Sequence, residues 1–267
     1  MRSRGAQVGL IAATIGVLLF IYVPLLVVVT YAFNASGTTS WPPAGFSTRW
    51  VEAALANSGL QDAFVTSIAI GIGAAAIAVV LGTLAAFAVA RYRFFGRDAI
   101  SFVVVFPIAL PGIVTGMALS TTFATVDLPL GILSIVIGHA TFCVVLVYNN
   151  VIARLRRTSR SIEEASSDLG ADTWQTFRHV TFPAVRSAML AGALLAFALS
   201  FDEVIVTIFT AGGVTTLPIW IFRSFRLANQ VALVNVAGLA AILLSVIPVY
   251  IASRLTQDTG GVTGAKG

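Results

Sequence analysis

The chain has 267 residues, of which 58% are hydrophobic and only 10% carry a charge. This composition excludes a soluble globular domain, which carries far more charge, and it indicates an integral membrane protein of the all-α class. The formal net charge of +5 does not require nucleic acid as a partner, because the placement of the basic residues gives it a simpler cause.

Six apolar runs in the sequence are long enough to cross a bilayer as helices, which takes about 20 residues. They cover residues 7–33, 63–90, 99–124, 130–153, 184–211 and 232–255. The first run is longer than the apolar part of a signal peptide, and no small-x-small cleavage site follows it, so we expect a retained helix. The polar residues 34–62 predict an extended arm followed by a short surface helix.

Glycine and proline shape two of these runs. The second run is rich in Gly and Ala, which predicts close helix packing inside a bundle. The third run is interrupted by Pro107, Pro111, Gly112 and Gly116. Such breaks are tolerated at membrane depth mainly where protein or a water-filled cavity satisfies the freed carbonyls. The residues leave open whether this run lines a pathway or carries an ordinary proline kink.

The distribution of Lys and Arg assigns an orientation to the predicted helices. Of the 16 such residues, one side of the bundle holds only Arg49, Arg223 and Arg226. The other side holds the remaining 13, which is 16 minus 3. Because basic residues accumulate on the cytoplasmic side, we expect both termini and the segment 154–186 to be cytoplasmic.

The segment 154–186 is a densely polar stretch between two apolar runs, and it predicts two helices joined by a tight turn. Ser161 and Glu164 form a capping-box pattern, so a helix is expected to start near Ile162. Gly170 suits the left-handed residue that ends a helix.

A second helix is predicted directly after that turn. Asp172 and Gln175 repeat the capping-box pattern. Pro183 has no N–H to donate, so it suits the first turn of a further helix where the fifth apolar run begins. Taken alone, the segment favours an amphipathic hairpin on the cytoplasmic membrane face over a docking element.

No constellation of catalytic or metal-binding residues is present in the sequence. There is no HExxH, CxxC or GxSxG pattern, and the terminal GGVTGAKG lacks both Gly-Lys-Ser/Thr and the elements that flank a phosphate loop. We therefore expect no catalytic residue, no metal site, no cofactor in this chain and no nucleic-acid partner. Energy would arrive from a partner that docks on the cytoplasmic helix pair.

The spacing within the segment 154–186 resembles a known motif. Residues 164–166, three further residues, Gly170, nine further residues and residues 180–183 are similar to the EAA loop of permeases of binding-protein-dependent ABC transporters. The pattern of that loop is EAA-x3-G-x9-I-x-L-P. The departures Ser166, Val180 and Phe182 keep its size or apolarity roughly. The resemblance implies a polytopic type I ABC importer permease fold with six transmembrane helices.

This resemblance also implies a site and a set of partners. Carried over from the family, Glu164, Ala165 and Gly170 would belong to an element that docks on an ATPase subunit, with Asp172 capping its second arm and Pro183 ending the motif. By residue type, the small Ser166 would let the helix lie close to that partner, and Glu163 and Asp168 would meet its basic groups. The partners would be a paralogous permease in a heterodimer, two ATPase subunits that bind ATP and Mg, and an extracytoplasmic substrate-binding protein. The implied organisation is a first helix with an extracytoplasmic arm (1–62), a permease core in the inner membrane (63–255) and a disordered cytoplasmic tail (256–267).

Three further stretches narrow the resemblance. RYRFFG, HATFCVVLVYNNVIARL and LSFDEVIVTIFTAG are similar to the second permease of spermidine/putrescine importers. They imply ATP-driven polyamine transport, with no hydrolysis by this chain itself. An importer of another amine, thiamine, an iron complex or an anion is the alternative. From another class, the alternative is an energy-independent channel or a scaffold.

Asp202 and Glu203 lie within an apolar run, where an ionisable group is costly and is treated as functional by default. Counted from Ala184, about 18 residues of helix span about 27 Å of a hydrocarbon core that is about 30 Å thick. We therefore expect both acids to lie near the extracytoplasmic mouth of the pathway. Adjacent helical positions point about 100° apart, so one carboxylate is expected to face the pathway and the other a neighbour. An ion pair with Arg223 or Arg226 is the alternative.

Aromatic and polar residues complete the candidate pathway. The rings that would offer cation–π faces to an ammonium group are Phe201, Phe209, Trp220 and Phe222. The fourth run contains four polar positions, His139, Thr141, Asn149 and Asn150. We expect interhelical hydrogen bonds from these four rather than contact with a solute.

Overall fold

The computed structural model describes residues 4–258, which fold into helices joined by turns and contain no β-strand. The α-helices are α1 (Arg4–Ala32), α2 (Arg49–Leu55), α3 (Ser58–Arg91), α4 (Arg97–Ala109), α5 (Gly112–Thr125), α6 (Ile132–Arg157), α7 (Arg160–Asp168), α8 (Thr173–Thr176), α9 (Phe182–Phe201), α10 (Ile205–Thr210), α11 (Leu217–Ser224) and α12 (Val231–Asp258). A π-helical turn occupies Phe177–Thr181 and a 3-10 turn occupies Ala228–Gln230. The predicted all-α fold is confirmed.

Five helical stretches are each long and apolar enough to cross a membrane. They are Gln7–Ala32, Ser58–Arg91, Ile132–Arg157, Thr173–Phe201 and Val231–Leu255. The pair α4 and α5 passes the same test together and is bent by 108°, which makes six spans if the pair counts as one. The chain is therefore a multi-pass membrane protein, in agreement with the six apolar runs of the sequence.

The chain divides into two compact units. The first contains the residues up to Asp62 together with Trp220–Ile242. The second contains Ala63–Ile219 and the residues from Leu243 onward. The whole of the segment 154–186 belongs to the second unit, which also holds both acidic residues of the fifth run.

In the first unit, the arm after α1 is a compact loop rather than the extended segment predicted from the sequence. The side-chain amide of the buried Asn34 donates to the Thr38 carbonyl oxygen at 2.7 Å. The backbone carbonyl oxygen of Asn34 accepts the indole N–H of Trp50 at 3.0 Å. Because a buried amide needs hydrogen-bond partners, the backbone of the arm turns around the Asn34 side chain. The predicted surface helix is present as α2.

In the second unit, α3, α6 and α9 form the core through close backbone contacts. A Cβ atom at Gly82 of α3 would lie 2.9 Å from Cβ of Val147 on α6. A Cβ atom at Gly192 of α9 would lie 2.8 Å from Cα of the same valine. Glycine permits this approach where lipid offers no hydrophobic drive for association. The predicted close packing of the second run is confirmed.

The interruption predicted in the third run is present between α4 and α5. The chain turns by 108° at this point, far more than an ordinary proline kink. Beyond the bend, α5 packs against α10, where a Cβ atom at Gly116 would lie 2.6 Å from the Phe209 ring. The bend therefore places α5 in contact with α10. A role of the third run in lining a pathway stays a prediction.

The fifth run is not one helix, so the prediction of a continuous span over residues 184–211 is wrong. α9 ends at Phe201, and α10 starts at Ile205. The Glu203 carboxylate accepts the Val206 backbone N–H at 3.0 Å and so caps the first turn of α10. Asp202 ends α9, and Glu203 marks the start of a new helix, because a side chain that bonds to nearby backbone competes with the helical ladder.

The other runs are present with small shifts at their ends. α1 begins at Arg4 and ends at Ala32, one residue before the predicted end of the first run. α12 extends to Asp258, so residues 256–258 of the predicted disordered tail are helical. The rest of that predicted tail, residues 259–267, lies outside the described residues.

Candidate functional site

Helix α7 begins earlier than the capping-box pattern of Ser161 and Glu164 predicts. Its N-cap is Ser159, whose hydroxyl oxygen accepts the Ser161 backbone N–H at 3.3 Å. Glu164 pairs instead with Arg160 on the exposed surface of the helix, at 3.4 Å. The predicted helix is therefore present and starts two residues before Ile162, but the predicted capping box is wrong, because Ser159 caps the helix in place of Ser161.

Gly170 forms the turn between α7 and α8, with a backbone φ of +90°. Its N–H donates to the Ser167 carbonyl oxygen at 2.9 Å, and the N–H of Ala171 donates to the Ser166 carbonyl oxygen at 3.1 Å. These two bonds satisfy the carbonyls that a helix end leaves open, in the arrangement of a Schellman motif. The predicted left-handed glycine is confirmed.

Asp172 caps α8 as the sequence predicts. Its carboxylate accepts the Gln175 N–H at 2.7 Å, and the Gln175 side-chain oxygen accepts the Asp172 N–H at 3.0 Å. α8 then continues through the π-helical turn into α9, so one helical stretch, Thr173–Phe201, joins the loop to the fifth span. Pro183 lies in the first turn of α9, as predicted.

Glu163 faces protein groups rather than solvent. One carboxylate oxygen accepts two N–H groups of Arg91, at 2.9 and 3.1 Å, and the Thr181 hydroxyl at 3.2 Å. Arg91 also donates to the Leu155 carbonyl oxygen at 3.3 Å. The side chains of Arg91 and Glu163 are 14% and 17% exposed, so water screens this pair less than a surface pair. The pair ties α7 to α3, to α6 and to the π-helical turn.

The loop exposes large apolar side chains. Leu169, Trp174 and Ile162 are 90%, 64% and 53% exposed. Clustered apolar exposure of this kind marks contacts with protein or membrane. The predicted coupling residues that are also exposed are Glu164, Ala165, Asp168, Gly170, Asp172 and Pro183. Ser166 is half-buried, and its hydroxyl lies 3.1 Å from that of Thr176.

A cavity of about 410 Å³ lies between α7, α8 and the end of α3. Phe87, Tyr92 and Phe177 give it aromatic walls, and Arg160 and Asp168 give it charge. It is large enough to admit a side chain from another protein. Neither here nor elsewhere in residues 4–258 do three His, Cys, Asp or Glu side chains come close enough to hold a metal ion.

The two acids between α9 and α10 have different surroundings. Asp202 is exposed, whereas Glu203 is half-buried and engaged with the first turn of α10. They lie at an interruption rather than on one helix, so the predicted angle of about 100° between them does not apply. Of the two, Asp202 has the more exposed side chain.

His139 confirms the interhelical hydrogen bonding predicted for the fourth run. It is buried in α6, with Nδ1 2.7 Å from Oγ of Ser200 on α9 and Nε2 2.8 Å from the hydroxyl oxygen of Thr207 on α10. For Thr141 and Asn150 the prediction is wrong, because both side chains donate to carbonyl oxygens of α6 itself.

The aromatic candidates have different surroundings. Phe201 is 1% exposed and packs against two other phenylalanine rings, with centroids 6.0 and 5.9 Å away, so a solute cannot reach it in this conformation. Trp220 is half-buried in the first compact unit. In the same unit the Arg226 guanidinium lies over the Phe222 ring at 5.4 Å, so a cation already occupies that face.

Residues 78–260 match the family model of the binding-protein-dependent transport system inner membrane component. The match spans more than half of the 267 residues. The chain belongs to this family. It is a permease subunit of an ABC importer, which sets aside the alternatives of an energy-independent channel and a scaffold.

Relatives of the permease extend over most of its length. The putrescine transport system permease protein PotI of Escherichia coli strain K12 is 38% identical and covers 78% of this chain and 76% of its own. The spermidine/putrescine transport system permease protein PotC of Haemophilus influenzae is 33% identical over 89% and 92% of the two chains. PotC of Escherichia coli strain K12 is 30% identical over 92% and 93%. The resemblance to this group of permeases is confirmed.

Solved structures share the fold of the permease. A bacterial ABC transporter involved in the import of the acidic polysaccharide alginate aligns with a TM-score of 0.71 at 18% identity, over 97% of this chain and 98% of that chain. The alginate transporter in complex with a pentasaccharide-bound periplasmic protein aligns with a TM-score of 0.65 at 14% identity, over 98% and 96%. These likenesses confirm the importer permease fold.

Sequence reasoning missed several residues that shape the permease's site. Arg91 entered the charge count and the RYRFFG resemblance but not the predicted coupling site, because its partner Glu163 lies 72 positions away and no local pattern connects them. Ser200 and Thr207 are ordinary small polar residues of an apolar run. His139 is the residue that could have indicated them, because a histidine inside an apolar run needs a hydrogen-bond partner for each ring nitrogen.

Proposed function

We propose that the permease imports polyamines, with putrescine and spermidine among its solutes. The similarity to PotI and PotC carries this proposal, because it extends over most of the chain at 30–38% identity and those proteins are named for putrescine and spermidine. The exposed carboxylate of Asp202, at the end of a membrane-spanning helix, adds an electrostatic attraction for a polycation.

The proposal includes a set of partners. A second, paralogous permease completes the pathway as a heterodimer, two ATPase subunits bind ATP and Mg, and an extracytoplasmic protein delivers the solute. A structural relative is described in complex with a periplasmic protein, which supports the last of these. The permease itself holds no cofactor. It lies in the inner membrane with the start of α1 and the end of α12 on the cytoplasmic side.

The loop 154–186 is the proposed contact with the ATPase. Exposed Leu169 and Trp174 offer apolar area that a partner can bury. Glu164 and Asp168 offer charge to basic groups of that partner, and the neighbouring cavity admits one of its side chains. Caps and turn bonds already order the loop at Gly170, so docking requires little ordering of its backbone.

Movement of the docked loop reaches the membrane spans by two routes. The first is the uninterrupted helical stretch Thr173–Phe201, which carries a displacement of α8 directly into the fifth span. The second is the Arg91–Glu163 ion pair, which connects α7 to the end of α3. Closure of the ATPase pair on ATP would use both routes to switch the helix bundle between inward and outward access.

Co-purification and reconstitution test this proposal. The tagged permease, solubilised from its native cells in mild detergent, should retain an ATPase and a second permease. In proteoliposomes supplied with its binding protein and ATP, the complex should take up putrescine, and a non-hydrolysable ATP analogue should stop uptake. Permease that never retains an ATPase contradicts the docking part. A binding protein that binds thiamine or an anion in place of polyamines contradicts the solute.

A further inference from the structure

A buried polar network holds the interruption between α9 and α10. His139 of α6 lies 2.7 Å from Ser200, the penultimate residue of α9, and 2.8 Å from Thr207 of α10. The Thr207 hydroxyl also donates to the Glu203 carbonyl oxygen at 2.6 Å. His139 therefore contacts the helix on each side of the interruption and, through Thr207, the interruption itself.

The partners of the imidazole favour the tautomer that carries the proton on Nε2. The Thr207 hydroxyl donates its single proton to the Glu203 carbonyl, so it accepts a hydrogen bond from Nε2–H of His139. Nδ1 then accepts the hydroxyl proton of Ser200. One donor and one acceptor are what a neutral imidazole offers, so both ring nitrogens are satisfied.

A second bond anchors α10 to the same helix. The Ser134 hydroxyl of α6 lies 2.8 Å from the Thr210 carbonyl oxygen at the far end of α10 and 2.9 Å from the Gly131 carbonyl oxygen, so the two carbonyls share its proton. α10 has only 6 residues, and a helix this short has no stability of its own. The contacts of His139 and Ser134 therefore help to hold α10 in place against α6.

We propose that His139 is a positioning residue for solute recognition, which holds α9 and α10 in fixed register and thereby sets the position of Asp202 between them. A histidine inside a membrane span is costly and rarely without a role. At 1% exposure it cannot touch a solute, so it acts through the backbone of the interruption. The inference rests on the proposed part of Asp202 in polyamine uptake.

Variants of the network measure the contribution of each bond. His139→Leu removes both bonds of the imidazole. Ser200→Ala removes one of them, and Thr207→Val removes the other together with the bond from Thr207 to the Glu203 carbonyl oxygen. Since an interhelical hydrogen bond in a membrane contributes about threefold on average, putrescine uptake per assembled complex should fall roughly threefold in Ser200→Ala, by at least about threefold in Thr207→Val and about tenfold in His139→Leu. His139→Gln keeps a donor and an acceptor and should recover part of the loss. Thr141→Val, which removes a hydroxyl bonded within α6, is the matched control and should keep the wild-type rate.

A double-variant cycle with Asp202→Asn separates positioning from general stability. If His139 acts through Asp202, His139→Leu lowers uptake no further in the Asp202→Asn background. If the losses of uptake in the two single variants multiply in the double variant, the inference is overturned and the proposed function stands. The same holds if His139→Leu lowers only the amount of assembled complex. Unchanged uptake in Asp202→Asn overturns the role of Asp202 and this inference together. Wild-type complex that takes up no polyamine overturns the proposed function itself, and the inference with it.

Discussion

At Gly170 the constraint is the backbone angle and not the space available. Its φ is +90°, yet a Cβ atom built there would meet nothing within 4 Å. Residues with a side chain rarely adopt this angle, and Asn and Asp tolerate it best. A replacement must therefore accept left-handed backbone, while its bulk is no obstacle.

Gly170→Val should uncouple ATP hydrolysis from uptake. A β-branched residue costs at least about 1–2 kcal/mol in the left-handed conformation, so the turn between α7 and α8 would open. The measurement is the amount of putrescine moved per ATP hydrolysed in proteoliposomes, which we expect to fall several-fold. Gly170→Asn is the matched control and should keep most of the coupling. Wild-type coupling in the valine variant would remove this turn from the coupling element.

Glu163→Gln should loosen the loop by removing the charge that Arg91 faces. The pair is partly screened, so we expect a loss on the order of 1 kcal/mol, below that of a fully buried pair. Hydrogen exchange at α7 should accelerate, and the exchanged pair Arg91→Glu with Glu163→Arg should restore part of the protection. Arg160→Gln, which removes an exposed pair of the same helix, serves as the control. If hydrogen exchange at α7 accelerated equally in Glu163→Gln and Arg160→Gln, a special role for Glu163 would be contradicted.

Asp202→Asn should lower putrescine uptake about fivefold at low solute concentration, since one charge about 4 Å from an ammonium group contributes about 1 kcal/mol in water. The amount of co-purified ATPase should not change. Glu203→Gln provides the comparison: it removes a charge but keeps an oxygen for the Val206 N–H, and we expect a smaller fall. Identical uptake kinetics in Asp202→Asn and wild type would exclude Asp202 from the pathway.

Among the elements, α5 and α10 depend on each other. Each follows an interruption, and their contact is so close that the Phe209 ring occupies the space where a side chain at position 116 would begin. A second contact of the same kind joins Gly112 to Ile205, 3.3 Å from a Cβ atom built at the glycine. The two interrupted runs are thereby coupled by shape, so a shift of α10 carries α5 with it.

Gly116→Ala tests this coupling. Its Cβ atom would lie 2.6 Å from the Phe209 ring, so the ring or the two helices must shift, at a cost of about 1–3 kcal/mol. The thermal unfolding midpoint of the solubilised complex should fall, and Phe209→Leu in the same chain should restore part of it. Gly16→Ala of α1, where a Cβ atom meets nothing within 4 Å, is the control. An unchanged midpoint in Gly116→Ala would show that the contact is not close in solution.

The position of a helix or turn was predictable from the sequence where a single local pattern determines it. Apolar length located the spans, and Gly170 and Asp172 located the turn of the loop. The start of α7 was not predictable in this way, because Ser159 and Ser161 can both cap and the choice depends on where α6 ends. The interruption after Phe201 was hidden for a related reason: apolar residues continue on both sides of it, and only the bond from Glu203 to the backbone marks the new helix.

For the whole molecule, orientation in the membrane is a prediction of the charge distribution. The excess of basic residues on one side assigns the loop 154–186 to the cytoplasm and the arm after α1 to the opposite face. A chemical probe that cannot cross the bilayer measures this orientation.

Cysteine labelling should report opposite sides for the loop and the arm. Cys143 is the single cysteine of the chain and is fully buried, so a membrane-impermeant maleimide should not label the wild-type permease. Ser167→Cys, at an exposed position of α7, should react only in inside-out vesicles. Ser40→Cys, at an exposed position of the arm, should react only from the outside of intact cells. The reverse pattern would invert the orientation.

The π-helical turn Phe177–Thr181 changes the direction in which the side chains of α8 point relative to those of α9. A π turn holds one residue more than an α turn, and each residue of an α-helix advances the side-chain direction by about 100°. Trp174, stacked on Phe177 with ring centroids 5.6 Å apart, points where it does because of that extra residue. Deleting one residue from the turn would leave the proposed docking face intact in composition but rotate it by about 100° relative to α9.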